Sequence, residues 1–430
     1  MDGRAARRAG PEIRQAAHYC DGLLCGTVVS RQSELETEGL GAYIERRWEG
    51  DPGAYGARRA RASFIYRAFI PDPISDIDPA VPFETHQLIA AAEAAVAALN
   101  SDPRVAGLEA IGPLLLRSEA IASSRIEGFE LTQRNLARAL INPRAAKGTA
   151  CVVAANVLAM EEAVSLGEVK RSFTSADLLA IHRTLMADEP RCCPGEPRTE
   201  QNWIGGRLDS PLDARYIPPP ESEVPRLVED LVAFLNRDDL PAAAQAAIAH
   251  AQFETIHPFL DGNGRVGRCL IHVVLRRRGV APTFVPPVSI VLAARPNAYV
   301  EGLAGYREGR IAAWCASFGG ALERSARLSV ELAAEVAALE KTWYERAGRP
   351  RRDSAAARII PILPAQPITS AAIVRGALGA RHQRALEGLK VLEAAGVVRK
   401  ISETAWDQQY AADELFDLLE RYEESIASGR

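Results

Sequence analysis

Apolar residues recur with a helical period through most of the chain. Val224, Leu227, Val228, Leu231, Val232 and Leu235 fall three and four apart, which predicts an amphipathic helix with one buried face. Leu328, Leu332, Val336, Leu339 and Trp343 mark a second, longer one. His86 to Leu99 is alanine-rich, and helices dominate from about Thr85 onward. Residues 1–62 differ: Arg, Gly and Ala are frequent and the apolar pattern is weak, so disorder or loose structure is expected there. Their basic cluster, Arg58, Arg59 and Arg61, reads as a solvated tail. Between Gln201 and Pro220, the pair Gly205-Gly206 and the prolines Pro218 to Pro220 forbid a continuous helix. Short apolar pieces at Trp203-Ile204 and Tyr216-Ile217 predict a small hairpin instead.

The richest segment runs from His257 to Arg268, His-Pro-Phe-Leu-Asp-Gly-Asn-Gly-Arg-Val-Gly-Arg. Gly262 and Gly264 adopt positive φ at little cost, and Asn263 tolerates it. Their N–H groups can then converge into an anion-binding nest. Val266, Leu270, Val273 and Val274 follow at helical spacing, so a helix begins near Gly264 with its dipole's positive end at the same point. Arg265 and Arg268 share a helical face and can fork onto phosphate oxygens. Asp261 suits Mg²⁺, which takes one or two carboxylates together with phosphate oxygens. An unperturbed imidazole at His257 is largely neutral at pH 7 and can accept a proton. Taken singly, these residues describe a structural histidine, an ordinary turn and a solvated basic face. Their conjunction in twelve positions describes a base beside a polyphosphate.

The segment resembles the Fic family signature, H-P-F-x-D-G-N-G-R-x-x-R, and meets it at every specified position. His250 to Ile256, Asn202 to Gly206 and Ala214 to Pro220 are also similar to family members, and the likeness runs from about residue 65 to 345. The resemblance implies transfer of AMP from ATP to a Ser, Thr or Tyr hydroxyl of a protein, which could be this chain itself. His257 would deprotonate the hydroxyl and Asp261 would hold Mg²⁺. Gly262, Asn263 and Gly264 would cradle phosphate, while Arg265 and Arg268 bind the outer phosphates. The hairpin would be a flap that aligns a target segment by strand addition; the bland alternative is a surface loop. Gln252, one turn before His257, could touch the nucleoside, and Tyr299 and Trp314 could border the adenine.

Upstream, Ser123-Ser124-Arg125-Ile126-Glu127-Gly128 ends a stretch with helical rhythm at Leu115, Glu119 and Ala122. Glu127 alone reads as an exposed carboxylate at a helix end. Within the family, Ser/Thr-x-x-x-Glu-Gly/Asn is an inhibitory pattern, and the resemblance implies that Glu127 pairs with Arg268 in competition with the γ-phosphate. In some relatives the same Glu orients a water that removes AMP, a role left open for Glu127.

Composition alters little. The 430 residues carry a net charge of −4, which exerts no general pull toward nucleic acid or anionic membrane. The best apolar run, Val280 to Ala294, contains three prolines, so no membrane span is expected. No apolar stretch of a secretory signal is visible near the start. Seven scattered cysteines favour reduced thiols and a cytoplasmic setting, and adjacent Cys192-Cys193 lack a zinc-site companion. His182, His250, His272 and His382 read as structural.

The expected fold is mainly α: a Fic-fold helical core with a small β-hairpin flap, plus a C-terminal winged helix-turn-helix. The expected divisions are a loosely ordered region (1–62), a helical region with the inhibitory motif (63–150), a catalytic core (151–347), a linker (348–361) and a winged-helix-like domain (362–430). In the last, Thr369 or Ser370 would cap a first helix, and Leu386, Leu389 and Leu392 mark a second before a wing strand at Val397 to Ile401. Arg381, Arg384 and Lys390 could then face DNA phosphates. Two readings follow: an autoinhibited AMP transferase, or a nucleotide-sensing DNA-binding regulator. A homodimer fits either.

Overall fold

The computed structural model describes residues 36–37, 39–50, 62–102, 110–207, 209–402 and 408–427. Three antiparallel strands come first: β1 (Glu36–Thr37), β2 (Gly41–Trp48) and β3 (Phe64–Pro71), in that order across the sheet. The β2–β3 register runs from Gly41 opposite Pro71 to Trp48 opposite Phe64. Residues 41–48 are therefore not loose, contrary to the expectation for 1–62. The reason lies in what faces inward. Alternate positions of β2 point to the core, yet one of them is Arg46, buried by a two-pronged contact with Glu221, so the apolar signal is diluted. The cluster Arg58, Arg59 and Arg61 lies outside the described residues.

Helices make up most of the remainder. The first group is α1 (Phe83–Ser101), α2 (Ile111–Ile126), α3 (Gln133–Ile141), α4 (Thr149–Glu168) and α5 (Ser175–Leu185). Next come α6 (Val224–Leu235), α7 (Ala242–Ile256), α8 (Asn263–Arg277), α9 (Val288–Ala294), α10 (Pro296–Arg307) and α11 (Ile311–Arg346). All fifteen residues of α7 are buried. Alanine dominates it, so α6, α8 and α11 approach its axis closely, and a helix apolar on every side belongs at the centre. By length and composition α4 could cross a membrane; it packs against α2, α5 and α8.

The 36 residues of α11 extend about 54 Å at 1.5 Å per residue. Trp314, Phe318 and Leu322 join the core around α7, whereas Leu332, Val336 and Trp343 join a second apolar cluster with the C-terminal elements. These are α12 (Ala355–Ile359), β4 (Ile368–Ser370), α13 (Ala371–Leu378), α14 (His382–Ala394), β5 (Arg399–Lys400), β6 (Gln409–Ala411) and α15 (Asp413–Ala427), with sheet order β4-β6-β5. Two local expectations need correction. The linker 348–361 yields its second half to α12, because Ile359 and Ile360 are buried in the second cluster. Ile368 to Ser370 pairs as a strand, and only then does the Ser370 side chain cap α13 by accepting from the Ile373 N–H. The second cluster also takes in Leu114, Leu115 and Ala122 of α2, and α15 holds this region from outside. Glu423 accepts from Arg125 (2.8 Å) and Gln133 (3.0 Å), and Glu414 from the Trp343 indole (2.6 Å).

Ala247 lies midway along α7 and is fully buried. An Ala247→Leu variant should lose about 1–3 kcal/mol of stability by overpacking, read as a lower urea midpoint at unchanged slope.

Candidate functional site

Helix α7 ends at His257, whose φ of 49° is left-handed. A non-glycine residue stays there only when its surroundings hold it. Buried Arg198 supplies the hold: its Nε donates to the His257 carbonyl (3.0 Å) and its own N–H to Pro258 (2.9 Å). Asn202 donates to the Phe259 carbonyl at 2.9 Å. Asn263 closes the loop from the other side, accepting from the Phe259 N–H (2.9 Å) and donating to its carbonyl (2.8 Å). Its side chain is thus turned inward, leaving main-chain N–H for an anion. Gly262, with φ of 78°, then starts α8.

Glu127 lies over that first turn. A methyl group on Gly264 would overlap its Oε1. Arg268, 1% exposed, donates to Glu127 Oε1 (2.7 Å), to the Ser123 hydroxyl (2.7 Å) and to the Ser123 carbonyl (2.9 Å). Ser123 and Glu127 are four apart, so both reach one guanidinium. Gly128, at φ of 83°, ends the turn, and Phe129 lies 5.2 Å from the guanidinium carbon of Arg265. Arg265 is buried, 3.7 Å from Asp261 Oδ1. The segment Ser123 to Phe129 therefore engages both signature arginines.

Charge follows this geometry. Burial disfavours the Glu127 carboxylate, but Arg268, then Arg265 and His257, prevail and hold its pKa below the ordinary range. Burial lowers His257 to about 4, aided by the charge of Arg198 and opposed by Glu127 and the Glu254 carbonyl, so the imidazole is neutral at pH 7. Burial raises Asp261, with Arg265 and the Gly262 N–H opposing. That carboxylate is incompletely compensated, which fits a hard cation there. No group of three His, Cys, Asp or Glu among the described residues could hold a metal by itself, so the cation would share phosphate oxygens. Glu254 is raised to about 7 by burial, with Arg268 opposing. Its Oε1 has no protein partner and lies against Gly267, where a side chain would collide with it.

Of the three expected neighbours, Gln252, Tyr299 and Trp314, the first is committed elsewhere. Gln252 is 1% exposed, donates to the Asp72 carbonyl (2.9 Å) and accepts from the Tyr306 hydroxyl (3.0 Å), so both ends of its amide are engaged in the core. Tyr299 meets His250 Nε2 at 2.8 Å and accepts from Arg268 at 3.4 Å. Tyr299 and Trp314 line one cavity of about 630 Å³, with Arg295 and Arg324. The hairpin forms as a single antiparallel bridge between Ile204 and Tyr216. The Tyr216 hydroxyl donates to the Thr255 carbonyl at 2.7 Å, and the Phe69 N–H to Ile217 at 3.0 Å. Sequence reasoning passed over Arg198, Asn202 and Phe129 as site residues. Only the motif spacing of Asn202 before Trp203 offered a signal. The five described cysteines are free.

An anion cradle opening a buried helix, with a neutral imidazole before it, defines the class of site. Residues 172–275 match the Fic/DOC family model, so the chain carries a Fic/DOC family domain. Protein adenylyltransferase Fic of Drosophila erecta is 32% identical over 120 residues, 27% of this chain and 22% of that relative. The Drosophila melanogaster protein of the same name is likewise 32% identical, over 27% and 23%. The chain thus spans about a fifth of the length of these curated relatives. A Fic family protein from Desulfovibrio desulfuricans aligns with TM-score 0.47 at 23% identity, over 77% of this chain and 96% of that one. A Fic domain containing signaling protein from Bacteroides thetaiotaomicron aligns at 0.46 and 19%, over 58% and 97%.

Glu254 sets a stability expectation. The unfolded carboxyl ionises near its ordinary pKa, the folded one near about 7. Folding stability should therefore fall as pH rises through that window and level off above it. Glu254→Gln should remove roughly 1–3 kcal/mol of this fall, read from urea midpoints at about pH 5 and about pH 8.

Proposed function

We propose that the protein is an ATP-dependent, Mg²⁺-using protein adenylyltransferase that modifies a Ser, Thr or Tyr hydroxyl, autoinhibited by Glu127. The observation that carries it is Glu127 on Arg268 at 2.7 Å, above an open helix N-terminus and beside neutral His257. A carboxylate already occupies a place built for an anion, so a triphosphate reaches Arg268 only by displacing it. With Glu127 aside, the main-chain N–H groups of Asn263 and Gly264 cradle the phosphates beside Gly262, whose own N–H stays on Asp261 Oδ1, and Arg265 and Arg268 bind their outer oxygens. Asp261 would hold Mg²⁺, which would supply charge neutralisation to the phosphates. His257 takes the proton of the target hydroxyl. The hydroxyl oxygen bonds to the α-phosphorus, the bond to the β-phosphate bridging oxygen breaks, and pyrophosphate leaves with that electron pair. The Ile204–Tyr216 bridge, anchored to α7 and β3, is suited to present an extended target segment. The five described cysteines, all free, support a cytoplasmic setting for this work.

A second reading, DNA binding by the C-terminal region, has one observation in its favour. Helix–strand–helix–helix–strand–strand order leaves Arg381, Arg384 and Lys390 exposed on or just before α14. Exposed Glu387 interrupts that strip, so the first reading stands ahead.

Labelled ATP with Mg²⁺ tests the proposal. Glu127→Gly should raise AMP incorporation at least about tenfold, the effect of losing a competing contact worth about 1.4 kcal/mol. Adding His257→Ala should lower it by about 10²–10⁴-fold while nucleotide still binds. A Glu127→Gly protein that takes up no AMP from any phosphate position contradicts the reading.

The acid limb of kcat/KM for Glu127→Gly should lie well below the free imidazole value of about 6.5. The neutral base persists as pH falls until His257 protonates near about 4, and a limb at the free value would contradict this.

A further inference from the structure

We infer that His182 is a positioning residue that orients the Asp261 carboxylate through one rigid peptide unit. The inference deepens the adenylyltransferase reading and rests on it for the meaning of Asp261. His182 sits in the last turn of α5, fully buried. Its Nδ1 accepts the Gly195 N–H at 2.9 Å, and its Nε2 lies 3.1 Å from the Asp261 carbonyl oxygen. A main-chain N–H only donates and a carbonyl only accepts. Both ends therefore fix one tautomer: Nδ1 is bare and Nε2 carries the proton.

The Asp261 carbonyl and the Gly262 N–H belong to one planar trans peptide and point in opposite directions. Holding the carbonyl aims the N–H, and that N–H donates to Asp261 Oδ1 at 2.5 Å. The imidazole thus acts on the carboxylate from behind, without touching it. Its ring also stacks on Phe259, centroids 3.7 Å apart and planes within 4°. Gly262 lies against the same ring, where an added methyl would come within 3.6 Å of His182 Cδ2. Three of the four loop residues from Phe259 to Gly262 are thereby referenced to one side chain. Its other bond, to Gly195, reaches the segment that carries Arg198, which holds the His257 carbonyl.

Two substitutions in the Glu127→Gly background separate positioning from packing. Both lose the stack on Phe259. His182→Asn keeps an acceptor near Gly195 but leaves the Asp261 carbonyl without a donor. His182→Gln extends an amide N–H toward that carbonyl. The expected result is an increase of about tenfold in the Mg²⁺ concentration that half-saturates ATP binding for the Asn variant, the effect of one net hydrogen bond. The Gln variant should stay within about threefold of its parent, with similar melting temperatures for both. Equal losses in the two variants, or losses that track melting temperature, would overturn the inference. Nitrogen-15 histidine spectra of the full chain supply a readout free of nucleotide: the resonances lost in both variants should report a bare Nδ1 and a protonated Nε2. Amide exchange at Gly262 should quicken in the Asn variant more than in the Gln variant. The opposite tautomer, or equal exchange, also overturns it. If Glu127→Gly transfers no AMP, the adenylyltransferase reading fails, while the spectra and exchange rates still decide the role of His182.

Discussion

A guanidinium sealed from water requires an anion. Arg268 is 1% exposed, and everything distinctive about the site follows from how that need is met. Ser123 supplies a hydroxyl and a carbonyl, Tyr299 a hydroxyl, and Glu127 the balancing charge. Of these, Glu127 alone keeps a partly open side chain, 29% exposed, at the very end of α2. The neutral partners are fixed in the core and the charged one is at the edge. A buried pair broken by loss of one member leaves a costly isolated charge, so exchange of Glu127 for another anion is favoured over simple opening.

The loop gains its shape from outside itself. Arg198, Asn202 and His182 all grip its main-chain carbonyls, and each comes from the stretch between α5 and the hairpin or from α5 itself. Left-handed His257 is the strained residue, and two of these grips fall on it or on its neighbour two positions along. The His257 ring is thus presented from a left-handed backbone that neighbouring side chains hold in place.

Much of the candidate site is legible in the sequence because its chemistry is local. Twelve consecutive residues hold a histidine, an aspartate, the glycines and two arginines, and Ser123 and Glu127 stand one helical turn apart. What is not legible is long-range. Arg198 looks like any other surface arginine until its fold partners are known, and Phe129 looks like core. Gln252 has suitable spacing from His257, but Asp72 and Tyr306 claim its amide from distant parts of the chain. The helix at 224–235 announces itself by period, and so does the stretch from Leu328 to Trp343 of the helix at 311–346. Strand β2 does not, since one inward position is a charged residue whose partner, Glu221, lies 175 residues away.

Helix α7 has no outward face. A helix enclosed on all sides cannot rotate or slide without displacing several neighbours, so the imidazole at its end inherits its location from the whole interior. Each alanine along it sets how near a surrounding helix may come, to within a methyl group. Sequence drift in such a protein is steered outward: the shell can diversify freely, while changes around the axle must arrive in compensating pairs.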